Sequence, residues 1–219
     1  MTSTETHTYS RGAIIFQAAA ESFGVQLADE QNAEWQSLIK TAFILDNILD
    51  SDLPQVEREE TFDKSVPELI YPIAEDWDTV KLDRVVSAAM NVKEIAGEKR
   101  ATTSAKKLGN LALYEGLETK RFLQLQDSDD LGVTNFNAWL EYLLTFGVVV
   151  DTVVDLPEDY SNGLTMVEPS VINRSIIAAY GLRKASRLIA TTPASLFVPL
   201  SKAARAVTDD SFKDKLNNT

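Results

Sequence analysis

The 219-residue chain has no cysteine and a single histidine, His7. Without cysteine there is no disulfide scaffold, zinc–thiolate site, iron–sulfur cluster or thiolate nucleophile, whereas a metal held by oxygen ligands stays open. With its one histidine in a polar leader, the chain is poorly equipped for a Ser-His-Asp triad or a histidine-ligated metal, so carboxylates must carry most of any chemistry. Glycine and proline are scarce, 9 and 7 residues, which argues against a turn-rich all-β protein. No uninterrupted apolar run approaches the roughly 18 residues needed to span a bilayer. Basic residues are in deficit too: 21 Lys and Arg against 33 Asp and Glu leave a net charge of -12, the reverse of a nucleic-acid-binding footprint. At 44% hydrophobic and 25% charged, the composition is that of an ordinary soluble domain able to close one core.

Residues 1–10 are polar and Thr-rich with no apolar signal-peptide core; they read as a disordered leader, and the expected location is cytoplasmic. Residues 11–219 read as one all-α domain, a bundle of about eight helices. Apolar residues recur at helical spacing and no stretch sustains a two-residue alternation. Helices are expected at 11–23, ending near Gly24, and from an N-cap at Asp29 through Leu49. A polar loop is expected over 51–60, then helices near 62–75, 78–97, 103–126, 135–156 and 168–190, and a final segment over 201–216. The β-branched run Val148-Val149-Val150, with Val153 and Val154, suits a buried strand by propensity. Its apolar pattern extends from Phe136 to Val154, however, far beyond a strand of about 5–6 residues, and length favours a helix.

Two places break the helical logic in the same way. Asp46 and Asp50 are four residues apart in an apolar segment, and Asp151 and Asp155 repeat that spacing among five valines. On a helix, residues i and i+4 project from one face about 5–6 Å apart. Like charges so placed cost an isolated helix about 0.2–0.5 kcal/mol, and burial raises that cost unless a cation answers them. A hard cation such as Mg²⁺ is commonly bound by one or two carboxylates together with substrate phosphates. Two such pairs facing each other across a bundle would frame a diphosphate site. The bland alternatives are a solvated helix end for Asp46 and Asp50, and a buried ion-pair network for Asp151 and Asp155.

Asp46-Asn47-Ile48-Leu49-Asp50 and Asp151-Thr152-Val153-Val154-Asp155 resemble two degenerate copies of the DDxxD signature of the trans-isoprenyl diphosphate synthase and class I terpene synthase superfamily. The approach Phe146-Gly147-Val148-Val149-Val150 and the polar loop from Asp159 to Asn162-Gly163 are similar to that family's surroundings of its second motif, and 115–122 resembles its central helix. The second aspartate of each motif is replaced, by Asn47 and by Thr152. The resemblance implies the isoprenoid synthase fold and Mg²⁺ as cofactor. It implies Asp46, Asp50, Asp151 and Asp155 as catalytic metal ligands, assisted by Asn47 and Thr152. A cationic partner for the diphosphate would come from Lys120, Arg121, Arg183, Lys184 or Arg187, for which ordinary solvated faces are the competing reading. The prenyl pocket would be walled by Phe16, Phe43, Leu113, Leu117, Phe146 and Val150, which are otherwise core.

The activity so implied is Mg²⁺-dependent ionisation of an allylic prenyl diphosphate, with the carbocation cyclised or captured by an acceptor: a terpene synthase or a prenyltransferase more than a chain elongase. The alternative is a catalytically reduced helical binding or partner protein of the same fold, holding an isoprenoid or lipid-like ligand. A prenyl diphosphate is the expected partner, with no nucleic acid and no stable membrane insertion. Members of the family are often dimers, so a homodimer is in view.

Overall fold

The computed structural model describes residues 16–51, 53–125 and 129–196. Among them seven α-helices and no strand are found. The first, α1, covers described residues 16–22. It is followed by α2 (Asp29–Leu49), α3 (Gln55–Ile70), α4 (Thr79–Ala101), α5 (Ala105–Leu123), α6 (Leu131–Ser161) and α7 (Val171–Thr191), then a short 3-10 turn at Ala194–Leu196. The expected leader, the start of the first helix and the expected segment 201–216 lie outside the described residues. No helix among the described residues is long and apolar enough to cross a membrane.

Local chemistry sets most of the boundaries. The side chains of Asp78, Ser104, Asp130 and Ser170 each accept a hydrogen bond from a backbone N–H of the first turn that follows, which satisfies an otherwise orphaned donor. The α2 start differs from expectation by one residue. Ala28 is the N-cap, its N–H donating to the Gln31 side chain at 3.1 Å, and Asp29 lies in the first turn, where its charge suits the helix dipole. Helix α3 begins at Gln55, well inside the expected loop, with Pro54 at its N-cap and the face Arg58, Phe62, Val66, Ile70 buried at four-residue spacing. Gly24 and Gly163 take positive φ of 80° and 73° where α1 and α6 end, a conformation open chiefly to glycine.

Two helices run further than their sequence punctuation suggests. Helix α4 passes through Gly97, around which a side chain would meet nothing, and continues to Ala101. Helix α6 passes through Pro157 to Ser161. Proline withholds one N–H and leaves the Val153 carbonyl without its helical donor, but Leu156, fully buried on the preceding residue, anchors the helix there.

Helix α5 is the centre of the bundle, packing on α2, α4, α6 and α7. Its small residues make that possible. A Cβ on Gly116 would lie 2.5 Å from the Thr145 Cα on α6, and one on Gly109 would meet Tyr180 at 2.7 Å and the Ile177 Cα at 3.3 Å on α7. On the other side, Trp35 of α2, Phe136 and Trp139 of α6, and Phe16 and Phe23 form a chain of ring contacts with centroids 5.5–6.1 Å apart. Trp35 Nε1 donates to the Leu123 carbonyl at 2.7 Å, tying this cluster to the end of α5.

Candidate functional site

Helices α2 and α6 meet through Trp35 and Phe136 near their N-terminal ends, but their backbones do not pack on each other further along. Between them lies a cavity of about 300 Å³, at the lower end of the ~300–1,000 Å³ typical of small-molecule sites. Its walls follow helical arithmetic. Ile39, Ala42, Phe43 and Asp46 line it from α2, with Asp50 at the C-cap of that helix, and Leu144, Val148, Asp151, Thr152, Asp155 and Asp159 from α6. Glu115, Thr119, Phe122 and Leu123 of α5 form its back, and Ala89, Val92 and Lys99 of α4, Phe62 of α3 and Phe16 complete it. At ~1.5 Å rise per residue, Asp46 stands about 10 Å along α2 from Ile39. The cavity is therefore graded, apolar and aromatic towards the Trp35–Phe136 end and acidic at the mouth.

The two acidic pairs, 105 residues apart in sequence, share that mouth. Asp46 feels the charge of Asp151, and Asp50 that of Asp155. Asp46, Asp50 and Asp151 keep accessible surface because they look into the cavity, while protein encloses their other sides. Burial and then the charges of Asp50 and Glu115 push the Asp46 carboxyl up to about 7, against a partial offset from Lys99. Burial and Asp155 push Asp151 up to about 6, where its protonated carboxyl hydrogen-bonds Asp155. Burial also raises Asp50 and Asp159, with Lys99 opposing. The carboxylates at the mouth outnumber the cations beside them, Lys99 and Arg100.

The cations present are Lys99 and Arg100, from the last turn of α4. Lys99 Nζ lies 2.7 Å from Glu115 Oε2. Burial works against the Lys99 charge, but Glu115, Asp159 and Asp50 outweigh it and raise its pKa. The Arg100 guanidinium donates to the Leu49 carbonyl at the end of α2 and adds positive charge beside Asp50 and Asp159. Arg58 donates to the Ser51 and Leu53 carbonyls at 3.2 and 3.1 Å, fixing the chain that leaves Asp50.

The expected site is thus brought together in part. Asp46, Asp50, Asp151, Asp155 and Thr152 line one cavity, as do Phe16 and Phe43. Asn47 does not: one residue on from Asp46, it is turned about 100° around α2 and is exposed. The Thr152 hydroxyl donates to the Val148 carbonyl of its own helix at 2.8 Å. Four expected pocket residues lie elsewhere. Phe146 faces Gly181 of α7, Val150 is on the outer face of α6, Leu113 packs against a separate core between α5 and α6, and Leu117 is half-buried off the cavity. Helical phase is the reason, since the cavity face of α6 runs through Leu144 and Val148, and Phe146 falls two residues off both.

The expected cations are also displaced by Lys99. Arg121 pairs with Glu118 at 2.7 Å and Lys184 with Glu141 at 2.8 Å. Lys120 is half-buried on α5, and Arg183 and Arg187 are exposed on α7; none of the five lines the cavity. Asp159, Glu115 and Lys99 were the residues sequence reasoning missed. Asp159 continues the four-residue spacing of Asp151 and Asp155, a signal hidden by taking Pro157 as the helix end.

The donors at the mouth are anionic oxygens, which fit a hard divalent cation and not a soft one. Among the described residues no three His, Cys, Asp or Glu side chains are grouped as ready-made metal ligands; Asp46 and Asp50 stand on one wall and Asp151, Asp155 and Asp159 on the other, and Mg²⁺ commonly takes one or two carboxylates when phosphates and water complete its shell. No protein-family model matches the chain, and neither a curated protein nor a solved structure matches it.

Proposed function

We propose that the chain is a Mg²⁺-dependent enzyme that ionises an allylic prenyl diphosphate, a terpene synthase or prenyltransferase. One observation carries this reading: two carboxylate pairs from distant parts of the sequence line the mouth of a single cavity whose inner end is apolar and aromatic. Asp46 and Asp50 from α2 and Asp151 and Asp155 from α6 would hold Mg²⁺, which when bound neutralises charge that builds on the leaving diphosphate. The allylic C–O bond breaks heterolytically, its electron pair departing with the diphosphate. Arg100 and Lys99 add positive charge on the α4 side of the mouth. The prenyl tail lies among Phe16, Ile39, Phe43, Phe62 and Phe122, which exclude water from the cation and offer aromatic faces to it. The cation is then cyclised and discharged by loss of a proton to the released diphosphate or to water, or captured by an acceptor that gives up a proton in the same way.

A second reading rests on the replaced motif positions. Asn47 points away from the cavity and the Thr152 hydroxyl is committed to Val148, so each motif presents two carboxylates where three would stand in an unaltered DDxxD. A protein so reduced would bind an isoprenoid or lipid-like ligand without turnover.

Incubation with geranyl, farnesyl and geranylgeranyl diphosphates plus Mg²⁺, followed by product analysis, separates the two. The enzyme reading expects diphosphate release with a hydrocarbon or transfer product, lost by about 10²-fold or more in Asp46→Ala and Asp151→Ala, on the scale of removing one preorganised charge-stabilising group. Ligand binding without product in any arm supports the second reading. Absence of Mg²⁺-dependent binding of inorganic pyrophosphate would falsify the enzyme reading.

A further inference from the structure

Six carboxyl groups border the mouth, Asp46, Asp50, Asp151, Asp155, Asp159 and Glu115, and a single ammonium, Lys99, lines it among them. The Lys99–Glu115 pair is the most enclosed salt bridge among the described residues, with side chains 21% and 14% exposed at 2.7 Å. The other lysine pairs, to Glu34, Asp63, Glu98 and Glu141, lie off the cavity. Lys99 is placed there by the last turn of α4, and Glu115 by the face of α5 that also carries Thr119 and Phe122 into the cavity. The ammonium acts on both walls at once, on Asp46 and Asp50 from α2 and on Asp151 and Asp159 from α6.

We propose that Lys99 is a tethered counter-cation that stands in for one divalent ion at this mouth, so that it holds the two carboxylate walls together in the metal-free protein and competes with metal for them. The inference rests on the reading of these carboxylates as metal ligands and concerns how many ions they take. Six carboxyl groups converge on this mouth, and one fixed ammonium already meets part of their charge. Two consequences follow. Removing the ammonium leaves the mouth more negative, which weakens the metal-free fold and strengthens divalent-ion binding. Keeping the charge with a different head group preserves both properties.

Lys99→Met, Lys99→Arg and the native chain are titrated with Mn²⁺ at pH 8, free ion being followed by electron paramagnetic resonance, and each is melted with and without Mn²⁺. In Lys99→Met, Mn²⁺ binds at least about tenfold tighter than in the native chain or one additional ion is bound, since a unit charge this close to a divalent ion in protein surroundings exceeds that effect. Its metal-free Tm falls and Mn²⁺ raises it by more than it raises the native Tm, while Lys99→Arg tracks the native chain. Should Lys99→Met not fold, Lys99→Gln removes the ammonium while keeping a polar side chain beside Glu115, and tighter or additional Mn²⁺ binding is expected of it. Equal affinity and stoichiometry in all folded variants, or no Mn²⁺ binding in any, overturns the proposal. Mg²⁺-dependent pyrophosphate binding by the native chain is measured in parallel: if it persists while the Lys99 variants are unchanged, the enzyme reading stands without a counter-cation. If it is absent while Lys99→Met gains Mn²⁺, the counter-cation stands and the diphosphate reading falls.

Discussion

The two ends of the cavity are made by the same helices and obey different rules. Behind the inner end, Phe16 of the cavity wall meets Trp35, which in turn meets Phe136, and the indole N–H of Trp35 has its acceptor at Leu123. About three turns further along α2, Asp46 and Asp50 crowd against Glu115, Asp151 and Asp155 with too few cations to answer them. Packing and hydrogen bonding explain the first arrangement completely in terms of stability. The second runs against stability, which makes these residues candidates for a functional site.

The largest expected effect tests the inner end. Trp35→Ala removes a side chain only 2% exposed and leaves the Leu123 carbonyl unpaired; it should lower the unfolding free energy by about 3–5 kcal/mol in a denaturant titration. A loss under about 1 kcal/mol would mean that the aromatic cluster does not anchor the fold. At the mouth the sign reverses. Asp46→Asn deletes a charge that its surroundings disfavour, so the metal-free protein should melt a few degrees higher at pH 8, about 1 kcal/mol for a domain of this size once solvent in the cavity is allowed for, while Mg²⁺-dependent pyrophosphate binding is lost. A lower Tm would remove the contrast between the two ends.

The smallest effect is a pH dependence of that gain. Asp46 binds its proton more tightly folded, at about 7, than at its ordinary 3.8, so folding favours the protonated form. Its contribution to stability is full below about pH 4 and is lost as pH rises through about 7. Asparagine imitates the protonated carboxyl at every pH. The Tm difference between Asp46→Asn and the native chain should therefore be near zero at pH 4 and widen up to pH 8; a difference independent of pH would place the carboxylate in a better-compensated setting than the geometry describes.

Helical periodicity made the all-α architecture and the pairing of Asp46 with Asp50 and Asp151 with Asp155 legible in the sequence, because i and i+4 on one helix need no tertiary knowledge. What it obscured sits beyond two punctuation residues. Gly97 and Pro157 were natural places to end α4 and α6, yet the chain remains helical past both. The extra turns carry Lys99, Arg100 and Asp159 to the mouth. Open space around Gly97 and the buried Leu156 before Pro157 are tertiary facts, and no local propensity contains them. The expected pocket residues failed for a related reason. Phe146 and Val150 are close to the second motif along the chain but on the wrong side of α6, and only the neighbours of a helix determine which of its faces turns inward.

Gly116 gives the cavity an asymmetry in how it can be altered. Where α5 crosses α6 the two backbones are nearly in contact, so the separation of these walls is fixed by main chain and no larger residue at 116 can be accommodated without moving Glu115 and Thr119 together with Leu144. Ala42 and Ala89, by contrast, line the cavity with single methyl groups from α2 and α4. Enlarging either would shorten the space available to a ligand from one side while leaving the acidic mouth where it is. In this molecule the depth of the cavity is open to single substitutions, and its width is a property of the scaffold.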